Sequence, residues 1–124
     1  MSVTVRLPPV LRVDAGGARI DGFYYCPHHR TGTVSEYVGP CDCRKPQPGL
    51  LRRAAKDLDL DLTRSFVVGD RWRDVGAGRA IGARTVLVRT GIGREQEANP
   101  PEGMAADLVA DTLIDAVAWI LQQA

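Results

Sequence analysis

Two short stretches of this chain hold the residue types that do chemistry. Cys26-Pro27-His28 and, after a gap of twelve residues, Cys41-Asp42-Cys43 supply three thiolates and one imidazole. That is the ligand set of a closed, tetrahedral zinc site. Residues 26–48 are rich in Gly, Pro, His and Cys and show almost no periodicity. A loop of this length lacks a core of its own, and a metal cross-link offsets the entropy of ordering it. Protein groups fill all four coordination positions, so this zinc is expected to be structural. His29 competes with His28 for the fourth place.

Arg44-Lys45-Pro46 follows the second cysteine pair directly. Taken alone the tripeptide reads equally well as surface charge; beside a metal-fixed loop it presents two cations rigidly, which suits a phosphate oxygen. The second stretch is Val67-Val68-Gly69-Asp70-Arg71-Trp72-Arg73-Asp74. It sets two carboxylates at the carboxyl end of an apolar strand, the edge where open α/β sheets bind ligands. Asp70 is the expected Mg²⁺ ligand, since Mg²⁺ takes oxygen donors and retains water. Asp74 has three open roles: a water-mediated metal contact, a helix cap, or orientation of Lys45. Arg71 is a further candidate for phosphate contact.

The elements that must position these groups are legible from residue 49 onward. Leu50, Leu51, Ala54, Ala55 and Leu58 share one face at helical spacing after Pro48-Gly49,. Residues 65–69 form a short continuous apolar run, the mark of a buried parallel strand. Asp74-Val75 is expected to open a second helix running to about Ile81, with Gly82 as its stop. Gly76 and Gly78 within it suggest close helix–sheet packing. Residues 85–88 read as the next strand, 89–106 as a loop and 108–110 as a third short strand. Asp111 is expected to cap a last helix with Leu113, Ile114, Val117, Ile120 and Leu121 on one face. Strands alternating with helices at this spacing predict an α/β fold with a partial doubly wound, Rossmann-like parallel sheet and an inserted zinc-binding loop.

The start is less regular. Val3, Val5 and Leu7 alternate like a short strand that Pro8-Pro9 ends, and residues 19–25 could carry another,. Residues 1–17 therefore read as a separate N-terminal segment, with the main domain at 18–124 and the zinc loop at 26–43. With 124 residues the chain has the size of one domain,. Its 16 Lys+Arg against 15 Asp+Glu leave a net charge of +1, which argues against nucleic-acid and anionic-membrane partners. No apolar run approaches a signal peptide or a membrane span, and three cysteines suit a metal better than a disulfide framework,. The expectation is a cytoplasmic protein.

Together, Cys-x-His, Cys-x-Cys-Arg-Lys-Pro, Val-Gly-Asp-x-x-x-Asp and Val-Leu-Val-Arg-Thr-Gly resemble the zinc-loop phosphatases of the haloacid dehalogenase-like superfamily. Within it the likeness is greatest to the C-terminal part of the D-glycero-D-manno-heptose 1,7-bisphosphate 7-phosphatases. The resemblance implies structural Zn²⁺ on Cys26, His28, Cys41 and Cys43, substrate phosphate on Arg44 and Lys45, and catalytic Mg²⁺ on Asp70. It places a further basic substrate contact at Arg71. The implied reaction is Mg²⁺-dependent phosphomonoester hydrolysis through an aspartyl-phosphate, in carbohydrate metabolism leading to lipopolysaccharide. Such enzymes carry an Asp-x-Asp near the chain start, as nucleophile and general acid–base, and a Ser or Thr after the second strand. Neither is found: Asp21-Gly22 lies five residues before Cys26, and position 19 is Arg. The sequence thus reads as a truncated phosphatase domain. The alternatives are a phosphatase for histidinol phosphate or another small phosphomonoester, and an inactive, zinc-stapled module that binds a phospholigand or partner. Without a central strand beside it, the 66–68 strand would lie open and invite self-association, unless the N-terminal segment covers it.

Overall fold

A computed structural model describes residues 2–5, 20–24 and 47–123. Its sheet is parallel throughout and comprises β1 (Ser2–Val5), β2 (Ser65–Gly69), β3 (Arg84–Val88) and β4 (Leu108–Ala110) in that spatial order. The helices are α1 (Gly49–Leu58), α2 (Trp72–Ala80), α3 (Gly93–Ala98) and α4 (Leu113–Gln122). A 3₁₀ turn at Leu62–Arg64 leads into β2.

Both faces of β2 and β3 are covered, which is why their sequences are continuously apolar. On one face Phe66, Val68, Val86, Val88 and Ala110 pack with Ala116 and Ile120 of α4. The Phe66 and Trp119 rings meet perpendicularly, at a centroid distance of 5.8 Å and an interplanar angle of 90°. On the other face Leu87 packs with Trp72 and Val75 at the start of α2, with Met104, Ala106 and Val109 beside them. Each fully buried Val, Leu, Ile or Phe among them contributes roughly 1.5–3 kcal/mol, so these few residues hold the two layers to the sheet. Gly78 lets α2 lie close: a Cβ there would stand 2.7 Å from Thr85 Cγ2 and 3.0 Å from Val67 Cβ. The doubly wound arrangement expected from the sequence is the one observed.

The edge of β2 is not open. β1 pairs with it in parallel, Val3 opposite Phe66 and Val5 opposite Val68. The N-terminal segment therefore supplies the strand whose absence raised the expectation of self-association.

Other expectations need correction. Residues 20–24 form no strand; instead the Tyr24 hydroxyl donates to Asp57 Oδ2 at 3.0 Å, tying this piece to the end of α1. The 89–106 loop contains a helix, α3. Helix α2 begins at Trp72, two residues before Asp74, so Asp74 lies in its first turn and does not cap it. Asp111 does not cap α4. Thr112 does so, its Oγ1 accepting from the Asp115 N–H at 3.2 Å, because Asp111 is drawn away by Arg89. The core stripe of α4 is Leu113, Ala116 and Ile120, whereas Ile114 and Leu121 are exposed. Gly82 follows the end of α2 with φ 77°, as expected of a helix stop. None of the helices in the described residues is long and apolar enough to cross a membrane.

Candidate functional site at the carboxyl edge of the sheet

Because the strands run parallel, their carboxyl ends share one edge. Asp70 follows β2, Arg89 follows β3 and Asp111 follows β4. The short apolar strands bring these polar residues together.

Asp70 is partly exposed, and the turn after β3 reaches across to it. The Ile92 N–H donates to Asp70 Oδ2 at 3.3 Å. Gly91 lies directly against the same carboxylate, where any Cβ would collide with Oδ2, and its φ of 63° favours glycine,. Asp74 is 1% exposed. Its carboxylate rests on Gly69, where a Cβ would overlap it, so the glycine of the Val-Gly-Asp run makes room for the second acid. Arg71 is partly exposed, with extended backbone at the N-cap of α2.

No side chain of the Arg71 cap bonds the helix start; the role passes to residues much later in the chain. Gln96 Oε1 accepts from the Trp72 N–H at 3.0 Å, and the Gln96 carbonyl accepts from the Trp72 indole N–H. Arg89 ties the same region together. Its Nε and Nη2 form a fork on Glu97, at 2.9 Å to Oε1 and 2.8 Å to Oε2, and its Nη1 donates to Asp111 Oδ1 at 2.8 Å. These bonds, to Glu97 first and Asp111 second, raise the guanidinium pKa, and the Arg89 bond holds the Glu97 carboxyl below its usual range,.

The donor chemistry suits a hard cation. Asp70 and Asp74 offer oxygen only, and Mg²⁺ commonly sits on one or two carboxylates while keeping water and substrate phosphate as its other ligands. Among the described residues no cluster of three or more His, Cys, Asp or Glu side chains gathers as a cage, so Asp70 and Asp74 are the donors that these residues offer at this edge. Cys26, His28, Cys41, Cys43, Arg44 and Lys45 lie outside the described residues, as do the loop they belong to and His29. Of the expected site residues the structure thus brings Asp70, Arg71 and Asp74 to one edge. It adds Arg89, Gly91, Ile92 and Gln96, which were not singled out. Val-Leu-Val-Arg-Thr-Gly contained the signal for two of these; the Ile92 amide and Gln96 left none.

The Asp-x-Asp run of the chain, Asp57-Leu58-Asp59-Leu60-Asp61, lies before β2 and so at the opposite edge. Asp61 caps the 3₁₀ turn there by accepting from the Thr63 N–H at 3.0 Å. After β1 the sequence continues Arg6-Leu7-Pro8-Pro9, without a carboxylate.

Comparison with known proteins agrees with this geometry. The HAD-hydrolase-like family profile matches residues 42–116. The D-glycero-β-D-manno-heptose-1,7-bisphosphate 7-phosphatase of Photorhabdus laumondii is 45% identical over 101 residues, covering 80% of this chain and 51% of that protein. The enzyme of the same name from Escherichia coli K12 is 45% identical over 97 residues, covering 77% and 49%. Among solved structures, the D,D-heptose 1,7-bisphosphate phosphatase of B. bronchiseptica, complexed with magnesium and phosphate, superposes with a TM-score of 0.58 at 39% identity. That match covers 70% of this chain and 50% of the other. The chain spans about half the length of the curated relatives it matches. With the family profile matching more than half its residues, and with the parallel sheet and the Val-Gly-Asp edge in place, this chain belongs to the HAD-like hydrolase family.

Proposed function

We propose that this chain forms the cation- and phosphate-binding part of a cytoplasmic phosphatase acting on a heptose 1,7-bisphosphate, in the supply of heptose for lipopolysaccharide. The observation that carries the reading is Asp70, held at the carboxyl end of β2 with its Oδ2 accepting the Ile92 N–H. The names of the relatives, and the magnesium and phosphate bound by the solved neighbour, support the substrate class.

In this reading Asp70 would hold Mg²⁺, with Asp74 as a candidate for a contact through water. Bound Mg²⁺ would neutralise phosphate charge and so lower the barrier to attack at phosphorus. Arg44 and Lys45 hold the phosphate oxygens, with Arg71 as a further contact, so that charge developing on the phosphoryl group meets fixed cations. Cys26, His28, Cys41 and Cys43 hold a structural zinc that presents Arg44 and Lys45, a proposal that rests on their spacing. Asp57, Asp59 and Asp61 precede β2 and β1 is followed by Arg6, so none of these supplies the attacking carboxylate in this reading.

The test is calorimetric titration of the purified chain with heptose 1,7-bisphosphate, with and without Mg²⁺, alongside a phosphate-release assay. Histidinol phosphate serves as the competing substrate. Mg²⁺-dependent binding that disappears in Asp70→Asn is expected, with no turnover by the chain alone. Absence of binding would overturn the reading, and turnover would place the nucleophile within this sequence. Metal analysis after chelator-free purification should find zinc bound; its absence would remove the structural-zinc assignment.

A further inference from the structure

We propose that residues 89–97 act as a clasp that orients the Asp70 carboxylate for a divalent cation. The inference rests on the cation-binding reading above and concerns how that carboxylate is held.

The clasp touches Asp70 at two points. The Ile92 N–H donates to Oδ2, and the bare Cα of Gly91 closes against the same oxygen. One oxygen is thereby restrained from outside β2, which limits rotation of the carboxylate while leaving its other oxygen for a cation. A ligating carboxylate that is itself hydrogen-bonded loses less freedom when the metal arrives, and removing such support typically costs about 10–100-fold in metal affinity.

Two anchors keep the turn in place. Arg89, at the end of β3, is forked onto Glu97 near the end of α3 and also bonded to Asp111 after β4. The turn between Arg89 and Glu97 is therefore closed on itself and moored to the neighbouring strand. Gln96 supplies the second anchor through its two bonds to Trp72, which stands two residues beyond Asp70. The Gly93 N–H, donating to the Thr90 carbonyl at 3.1 Å, tightens the turn between them. Gly91, Arg89 and Gln96 are thus positioning residues: they act on the cation through Asp70.

The experiment titrates the full chain with Mn²⁺, following free Mn²⁺ by electron paramagnetic resonance, with Asp70→Asn as the reference for lost binding. Gly91→Ala is expected to weaken Mn²⁺ binding by about 10–100-fold, and Arg89→Ala and Glu97→Gln each by about tenfold. The double variant Arg89→Ala/Glu97→Gln should be no weaker than either single one, because the two residues work as one unit. Ile120→Ala, a core change on the α4 side of the sheet, should lower Tm and leave Mn²⁺ affinity unchanged. A folded Gly91→Ala that binds Mn²⁺ like wild type would overturn the proposal. So would an Ile120→Ala whose affinity falls as far as that of Arg89→Ala, since the effect would then be general loosening. If Gly91→Ala does not fold, the Arg89 and Glu97 variants decide alone. Loss of binding in Asp70→Asn with the clasp variants intact sinks only the clasp, whereas wild type that binds no Mn²⁺ sinks the cation reading and the clasp with it.

Discussion

Before β2 the chain runs Asp57-Leu58-Asp59-Leu60-Asp61, and after it come Asp70 and Asp74. The five residues of β2 separate the two groups by roughly 17 Å,. At the amino end the acids tie down or end the elements that lead into β2. Asp57 accepts the Tyr24 hydroxyl, Asp59 ends α1 in the left-handed region at φ 54°, and Asp61 caps a 3₁₀ turn. At the carboxyl end the acids are met by backbone from elsewhere: Gly91 and Ile92 close on Asp70, and Asp74 is buried against Gly69. The meaning of an aspartate pair thus depends on its place on the sheet. The Asp-x-Asp spacing sits at the edge opposite the candidate site, whose own acids are at a different spacing.

The largest test of this contrast pits the two ends against each other. Asp70→Asn should abolish Mn²⁺ binding, a loss of at least about 100-fold if the carboxylate is the principal ligand. The triple variant Asp57→Asn/Asp59→Asn/Asp61→Asn should bind as wild type does; a comparable loss there would erase the distinction between the edges. Next in size is Gly69→Ala. Its Cβ would overlap the Asp74 carboxylate, and overpacking of this kind costs about 1–3 kcal/mol, measurable by urea unfolding,. An unchanged midpoint would show that Asp74 can move aside freely.

Asp59→Gly should change stability by less than about 0.5 kcal/mol, because glycine accepts the same backbone angles and the side chain does no more than end a helix,. The smallest effect is on pH dependence. The Thr63 hydroxyl and amide hold the Asp61 carboxyl below its usual range, and Arg89 does the same to Glu97. A carboxyl lowered in the folded state adds stability above its unfolded pKa, and that stability is lost as pH falls through the folded value. Asp61→Ala and Glu97→Gln should each make the acid limb of a Tm-against-pH curve shallower, by a small amount because both groups are exposed. Only Glu97→Gln should also alter Mn²⁺ affinity.

The elements that could be read in advance are those whose burial is written into a local run. Residues 65–69, 85–88 and 108–110 are apolar without alternation because both sheet faces are covered, and each proved to be a strand at or within one residue of the expected bounds. Helix α1 was legible because its apolar spacing is unambiguous. Helix α4 was legible as a helix but its buried face was not, because it carries two stripes at the same spacing. Leu113, Ala116 and Ile120 run beside Ile114, Val117 and Leu121, and the small Ala116 conceals which one faces the sheet. The cap expected at Asp111 and the capping role left open for Asp74 were both decided by distant residues. Asp111 had a competing partner in Arg89, 22 residues earlier, and the start of α2 is capped by Gln96, 24 residues later.

By itself the sequence determined the parallel α/β class, the positions of β2, β3 and β4 and the placing of Asp70 at a strand's carboxyl end. These follow from hydrophobic period and from the alternation of strand and helix, which are local properties. Tertiary structure alone decided that β1 closes the edge of β2, that Gly91 and Ile92 rest on Asp70, and that Arg89 gathers Glu97 and Asp111. The reason is physical: a hydrogen bond or ion pair between residues distant in the chain depends on which ends the sheet brings together. Residue type states that a carboxylate can accept a bond, and the fold supplies the group that donates it.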